Sequence, residues 1–580
     1  MKSLIRGNSP VNGQTAQLTD WSQVNWKKAR KIVRNLRRRI FRAKKLGQWK
    51  QLRRLQKLML KSYANLLLSV RQITQINTGK RTAGVDKEVA TTPSQRVKLV
   101  NEWKIPKASP ARRVYIPKSN GKKRPLGIPT LKDRVMQAIV KNLLEPEWEA
   151  IFEPNSYGFR PGRSCHDAIE QVVNRLNSLR KDRWVLDADI KGFFDNLAHE
   201  TIMKQIDSAP GREIVAGWLK AGYISKGIYH ETNKGTPQGG VISPLLANIG
   251  LEGLEEKLNN WGGIRGRYNK KGERRKVYKL GYIRYADDFV VTAETKEELE
   301  KVLIQLKAWL SERGLEISDE KTRIVHISQG FDFLGFNVRM FGKGKNETLL
   351  TKPAKNKVLS FCKEIGKIVK AFNGKSQEQL INKLNPILRG WANYYRHCTS
   401  KKILSYVGNR VWKYLWDWAR RRHKKRKLRW VKDKYFKVIY KKTPWSVSKR
   451  DWVFSCESTS KRRNSELRIY DVAGTPIVRH VKIEGSNSPD DPILKEYWLL
   501  RSLKANKTLW EKNSKYDQVA RRKGYKCPIC NDWLRNDEEI ETHHIIPIKE
   551  GGSNLADNLV HLHKACHKLL HGKKKTKQKA

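Results

Sequence analysis

The sequence predicts a multidomain α+β protein, and three observations carry that prediction. The chain has 580 residues, enough for three or four domains. Short β-rich runs separated by turn residues occupy its middle, and stretches with helical spacing flank them on both sides. Near its end, Cys and His residues gather at close spacing, which implies a small metal-stabilised module.

Composition narrows the class. Lys and Arg outnumber Asp and Glu 120 to 56, a formal charge of +64. That excess is too one-sided for an ordinary soluble surface and implies a polyanionic partner. With 19 Trp and 38% hydrophobic residues, the chain is not simply a disordered basic tail. No run of about 18 apolar residues occurs and the N-terminus lacks a signal-peptide core, so a soluble, cytoplasmic protein with no membrane partner is expected. Cys165, Cys362, Cys398 and Cys456 are isolated and read as buried thiols. Cys527, Cys530 and Cys566 cluster, which suits metal better than disulfides.

In chain order, residues 1–20 form a polar lead-in, and Asp20 is expected to cap a helix beginning at Trp21. From Lys27 to Lys61 there are sixteen Lys and Arg and no acid. Apolar residues recur there at Val33, Leu36 and Ile40, then at Leu52, Leu55 and Met59, which is helical spacing. The opposite faces are therefore expected to carry unpaired positive charge that nucleic acid would relieve. After a loop at Gly79–Asp86, residues 112–129 read as two extended runs meeting at Ser119-Asn120-Gly121, a hairpin signal. That turn puts Lys118 and Arg124 on facing arms, within reach of one triphosphate. Residues 133–148 have a helical pattern. A basic Gly/Pro-rich loop at 156–164 contains Arg160 and Arg163, and a helix is expected from His166.

The acidic positions come next. In residues 183–195 alternation places Asp187 and Asp189 on one face of a strand. The run from Lys234 to Asn248 removes side-chain bulk through Gly and Pro, with Gln238 as its polar group. Tyr282–Tyr285 and Phe289–Thr292 then flank Ala286-Asp287-Asp288, a hairpin with two carboxylates at its tip. Adjacent acids repel, and a bound cation removes the repulsion. For an arbitrary hairpin a solvated turn is the commoner explanation of an Asp pair, but a second acidic strand end lies about a hundred residues upstream. Carboxylates from two strands can cage a pair of ions ~3.5–4 Å apart that activate a hydroxyl and neutralise a leaving phosphate oxygen. Beyond residue 350 helices rich in Trp and Tyr lead into the basic run Arg420–Lys427, which can track a phosphate backbone. Residues 435–505 are Lys/Trp-rich with weak periodicity. Finally Cys527-x₂-Cys530 faces His563-x₂-Cys566, four ligands at zinc-knuckle spacing. A purely structural knuckle leaves His543 and His544 without a purpose.

Tyr285-Ala286-Asp287-Asp288 and Asp189-Ile-Lys-Gly-Phe-Phe194 resemble the palm motifs of reverse transcriptases, in the form carried by group II intron-encoded maturases. The remaining motifs follow in the family's order over about residues 20–580. The resemblance implies a right-hand-like fingers and palm with an antiparallel sheet, an α-helical thumb (domain X), a DNA-binding region and a C-terminal ββα-metal HNH module with a zinc knuckle. The implied segments are a basic helical extension (1–80), fingers and palm (81–350), thumb (351–430), DNA-binding region (431–510) and HNH endonuclease (511–580). Asp189, Asp287 and Asp288 would hold two Mg²⁺ ions, with Asp187 as structural support. Phe194 would crowd a ribose 2′-OH, Lys118 and Arg124 would bind the incoming dNTP, and Gln238 would lie near the base pair. Arg160, Arg163 and Lys321 would add contacts, and Phe331, Phe333 and Phe336 would pack or grip the primer.

In the last module the resemblance makes His544 the general base, gives one divalent ion to His543 and His567, and has Asn558 brace the loop. Cys527, Cys530, His563 and Cys566 would hold Zn²⁺. The family usually has Cys at the position of His563, so His561 and His571 stand as spare ligands. The implied function joins reverse transcription, intron splicing and target-primed DNA cleavage (retrohoming), with intron RNA, target DNA and dNTPs as partners and no obligate protein partner. A splicing cofactor with unused catalytic sites, and a retron-type or diversity-generating enzyme, are the alternatives. The intact acids and His pair oppose the first; domain X and the HNH module oppose the second.

Overall fold

The computed structural model describes residues 17–117, 121, 123–268, 274–342, 344–443, 446–457, 466–510, 513–536 and 538–577. Lys118 lies outside the described residues, and so does the side chain of His571.

At the N-terminus Asp20 caps only a 3-10 turn, Trp21–Gln23, by accepting from the Ser22 N–H. Val24 is extended, so the long helix begins afresh at Trp26 under an Asn25 cap and runs to Lys45. Its apolar stripe, with that of Trp49–Lys61, packs on the helix Leu131–Glu149. The expectation of unpaired charge needs correction. Arg30 pairs with Asp532 and Glu538, Arg37 with Glu145 and Asp490, Lys44 and Arg53 with Glu147, and Lys45 with Asp491. The acids missing locally are supplied by elements far away in sequence. Lys27, Lys31, Arg34, Arg38 and Arg42 still recur at helical spacing. Burial and the charge of Arg34 hold the Arg38 guanidinium below its ordinary pKa.

The chain contains the strands β1 (Ala111–Pro117), β2 (Lys123–Ile128), β3 (Trp184–Asp189), β4 (Tyr223–Ser225), β5 (Ile228–His230), β6 (Ile264–Tyr268), β7 (Arg274–Tyr278), β8 (Gly281–Tyr285), β9 (Asp288–Ala293) and β10 (Arg323–His326). One sheet has the order β2-β1-β4-β5 and includes the predicted hairpin, with Ile116 opposite Arg124. A second sheet, β10-β3-β9-β8, is antiparallel throughout. Its two faces feed different cores, as a period of two requires. Leu186, Ala188, Phe289 and Val291 join the main core beneath the helix Lys296–Ser311. Val185, Ile283 and Val290 join a smaller core with Phe331, Phe333 and Phe336. Those three Phe are nearly fully buried, so they pack.

The strands β11 (Phe331–Phe333), β12 (Phe336–Phe341) and β13 (Thr348–Pro353) lead into the helices Lys355–Ala371, Gln377–Tyr395, Lys401–Arg422 and Leu428–Tyr435. These bury Ile365, Leu384, Leu388, Val407 and Trp418 in a third core. The sheet β14-β15-β16 (Phe436–Thr443, Ser446–Glu457, Glu466–Arg468) follows. An extended stretch then returns to the body. The Ile483 N–H and His480 hydrogen-bond to Asp167, and Arg163 donates to the Gly485 carbonyl. The last module contains β17 (Ile540–His544), β18 (Leu559–His563) and the helix Lys564–Lys577. Among the described residues no helix is long and apolar enough to cross a membrane.

Candidate active site and metal centre

β3 and β9 run antiparallel with Asp189 directly opposite Asp288, and Asp287 occupies the two-residue turn between β8 and β9. Two carboxylates from facing strands and one from the turn thus gather at one corner of the sheet. Asp187 lies on the same face one pleat back, paired with Arg323 at 3.4 Å. Ala286 opens the turn with φ +60°, the left-handed value that a tight hairpin demands. Asp189 Oδ2 accepts from Lys321 Nζ at 2.6 Å, so the predicted extra cation sits on the acid itself. Although Asp288 reaches solvent at the rim, burial against the sheet, then Asp287 and Asp189, push its pKa to about 7. Asp287 is raised by burial and Asp189, while Arg124 and Lys321 pull it back. The crowd is one that hard divalent ions relieve.

Asp288 folds with a pKa near 7, against ~3.9 when unfolded. The folded state therefore holds the extra proton, and stability is lost as pH rises from about 4 through 7. In divalent-free buffer Asp288→Asn is expected to raise the melting midpoint at pH 8 by roughly 1–3 °C and to change it little at pH 4. Equal effects at the two pH values would contradict the charge crowding.

The corner is braced by residues whose roles sequence reasoning missed. The segment 155–157 hydrogen-bonds along β8, with the Tyr157 N–H donating to the Arg284 carbonyl and the Arg284 N–H to the Asn155 carbonyl. A Cβ on Gly158 would lie 2.3 Å from the Ala286 nitrogen, so only glycine lets this loop touch the hairpin. Asn248, the last residue of the Gly/Pro run, donates to the Gly158 carbonyl and accepts from the buried Arg284. Its signal was its place in that run; Arg284 gave none. Two predicted contacts are corrected here. Arg160 is buried against Glu149 and the carbonyls of Glu153 and Ser156. Arg163 spends its guanidinium on the Pro154 and Gly485 carbonyls. Arg160 thereby satisfies buried carbonyls that would be costly to leave unpaired, whereas Arg163 ties two exposed loop segments together.

Phe194 packs edge-on to Phe193 and Phe159 and lines a cavity of about 400 Å³ with Arg113, Tyr115 and Tyr223. The Gln238 carbonyl accepts from the Gly127 N–H at 2.6 Å, tying the Gly/Pro loop to β2. Gly239, at φ +117°, would put a Cβ 2.7 Å from the Gly127 oxygen. Arg124 is exposed and acts on Asp287.

In the last module Cys527, Cys530, His563 and Cys566 are buried, with one ligand atom from each all within 4.8 Å of one another. Among the described residues no other group of three does this, the three Asp included. His563 Nε2 donates to the Trp533 carbonyl, which turns Nδ1 toward Cys530 Sγ at 3.2 Å. Three thiols and an imidazole so placed fit a metal ion. His561 is no spare ligand: Nε2 donates to the Tyr516 carbonyl, Nδ1 pairs with the Thr542 hydroxyl, and its ring stacks on Trp510.

His543 Nδ1 and His567 Nε2 approach to 3.0 Å, and His567 Nδ1 meets Glu541 Oε2 at 2.6 Å, a carboxylate the sequence reading missed. His544 Nε2 lies 2.8 Å from Asn554 Oδ1. Asn558 donates to the Ile546 and Ser553 carbonyls and accepts from the Ile546 N–H, tying the two ends of the intervening loop together.

The chain matches four known families. Residues 21–103 match the N-terminal domain of reverse transcriptase, and 116–338 match reverse transcriptase (RNA-dependent DNA polymerase). Residues 358–436 match the group II intron maturase-specific domain, and 527–573 match HNH endonuclease. Protein YkfC of Escherichia coli is 40% identical over 250 residues, covering 39% of this chain and 66% of that protein. Group II intron-encoded protein LtrA of Lactococcus lactis is 33% identical over 377 residues, covering 51% and 62%. Maturase-like protein 1 of Euglena gracilis is 26% identical over 398 residues, covering 67% and 80%. The chain thus spans just under two thirds of the length of the first two relatives.

Proposed function

We propose, from the chain's membership of the group II intron-encoded reverse transcriptase and maturase family with an appended HNH module, that it copies intron RNA into DNA at a target it nicks itself. The observation that carries this reading is the pairing of Asp189 with Asp288 beside Asp287. In this reading β10-β3-β9-β8 is the palm, β2-β1-β4-β5 belongs to the fingers, and the helices 355–435 are the thumb, or domain X. Asp189, Asp287 and Asp288 would hold two Mg²⁺ ions, which would supply activation of the primer hydroxyl and neutralisation of the leaving phosphate.

The side chains do the rest. Lys321 balances Asp189 and yields as the triphosphate arrives; Arg124, with Lys118, draws the phosphates toward the acids. Phe194 excludes a ribose 2′-OH, and Gln238 lies against the new base pair. In the nuclease module the cysteines and His563 would hold structural Zn²⁺, and His543 and His567 would hold a divalent ion that supplies charge neutralisation for phosphodiester cleavage. His544, with Nε2 donating to Asn554, keeps its Nδ1 lone pair to take a proton from water. Primer extension on an RNA template tests the polymerase: it must require a divalent ion and fail with Asp287→Ala.

Intron RNA binds along Lys27, Lys31, Arg34, Arg38 and Arg42 and onto the basic run after Trp418. Because each contact displaces counterions, affinity is expected to fall about 10²–10³-fold between roughly 50 and 200 mM salt. Replacing Lys31, Arg34 and Arg38 by Gln lowers that slope. A flat salt response in filter binding would remove the basic-stripe argument.

A further inference from the structure

We propose that Arg71 completes the Cys527/Cys530/His563/Cys566 centre from outside its ligand set, and that the loaded centre latches the nuclease module onto the polymerase body. The proposal rests on reading the cluster as a zinc site.

Arg71 ends the helix Tyr63–Arg71, 495 residues before Cys566, and is 1% exposed. Its Nη2 donates to Cys566 Sγ at 3.2 Å and lies 3.4 Å from Glu538 Oε2. The face of its guanidinium lies over Trp26, 4.7 Å from the ring centroid. Nε and Nη1 are buried with no acceptor among the described residues. A buried cation is costly unless negative charge surrounds it, and Glu538 is shared with Arg30 at 3.2 Å. Three thiolates and a neutral imidazole around a divalent ion carry a net charge of −1, which supplies what Arg71 lacks. A charge-assisted N–H to thiolate bond is stronger than one to a thiol. Metal loading therefore strengthens the contact between the two halves of the protein.

The apolar packing runs the same way. Trp21, Trp26 and Ala29 of the N-terminal region share one continuous core with Leu534, Leu562, Cys566 and Leu569 of the module. Arg30 adds its ion pairs to Asp532 and Glu538 at the rim. By linkage, whatever metal adds to docking, docking adds to metal retention. The nuclease is thereby held in one position relative to the polymerase for as long as the centre is loaded.

The test uses the full-length protein, with zinc content measured first and zinc transfer to a chromogenic chelator timed. The parent is expected to hold one zinc at this centre and release it slowly. Arg71→Met is expected to release it about 10–100-fold faster, with Arg71→Lys in between. Trypsin is expected to free a C-terminal fragment sooner from Arg71→Met than from the parent, and equally soon from chelator-stripped parent. Glu538→Gln, on the module side, reads the same coupling should Arg71→Met fail to fold, and is expected to speed both release and cleavage. A parent without zinc overturns the metal reading and the latch together. Bound zinc with release unchanged in Arg71→Met and Glu538→Gln, or faster release with cleavage unchanged, overturns the latch alone.

Discussion

Asp287→Ala is expected to cut dNTP incorporation on an RNA template by about 10³-fold or more while leaving intron splicing in place. Asp287 lies in the turn, and the β3–β9 ladder does not depend on its side chain, because the pairing partners are Asp189 and Asp288. The left-handed residue of the turn is Ala286, which is untouched. Removing one of three crowded carboxylates relieves repulsion, so the fold is expected to be at least as stable in divalent-free buffer. What disappears is a carboxylate within the field of Arg124 and Lys321, and with it, on the proposed reading, part of the charge that would hold the two cations. Splicing, proposed to depend on basic surfaces elsewhere, is expected to persist. Incorporation within tenfold of the parent would remove Asp287 from the site, and joint loss of splicing would show that the two roles are not separable.

His544→Ala is expected to lower DNA nicking by about 10²–10⁴-fold, the range of a lost general base, with primer extension and zinc content unchanged. His544 is the last residue of β17, opposite Leu559, and partly open to solvent. Its imidazole hydrogen-bonds to Asn554, in the loop that Asn558 holds against Ile546 and Ser553. Alanine leaves that bracing and the buried cysteine cluster intact, so the loss isolates one imidazole. Nicking at the parental rate would transfer the base role to another group.

The acidic corner was legible because its information is local. Alternation puts Asp187 and Asp189 on one strand face, and the apolar runs around Ala286-Asp287-Asp288 fit a hairpin and little else. The cysteine spacing was legible for the same reason. Arg160 was misread because a basic Gly/Pro loop looks the same whether its arginine meets phosphate or a buried Glu149 from another helix. The basic N-terminal helices were misread in part because Glu145, Glu147, Asp490, Asp491, Asp532 and Glu538 all come from elsewhere in the chain. His561 and His567 are equivalent on paper; they are separated by a Trp510 stack and a Glu541 carboxylate.

From the sequence alone came the periods, the turns and the Cys/His spacings, and with them the three Asp, the four residues of the buried Cys/His cluster and the order of the modules. Only the tertiary structure decided which charges are spent internally and which face outward, that Arg71 reaches Cys566, and that Arg284 and Asn248 brace the hairpin. The reason is physical. Backbone periodicity acts over a few residues, whereas a buried charge is stabilised by whatever lies within a few ångströms, at any distance along the chain.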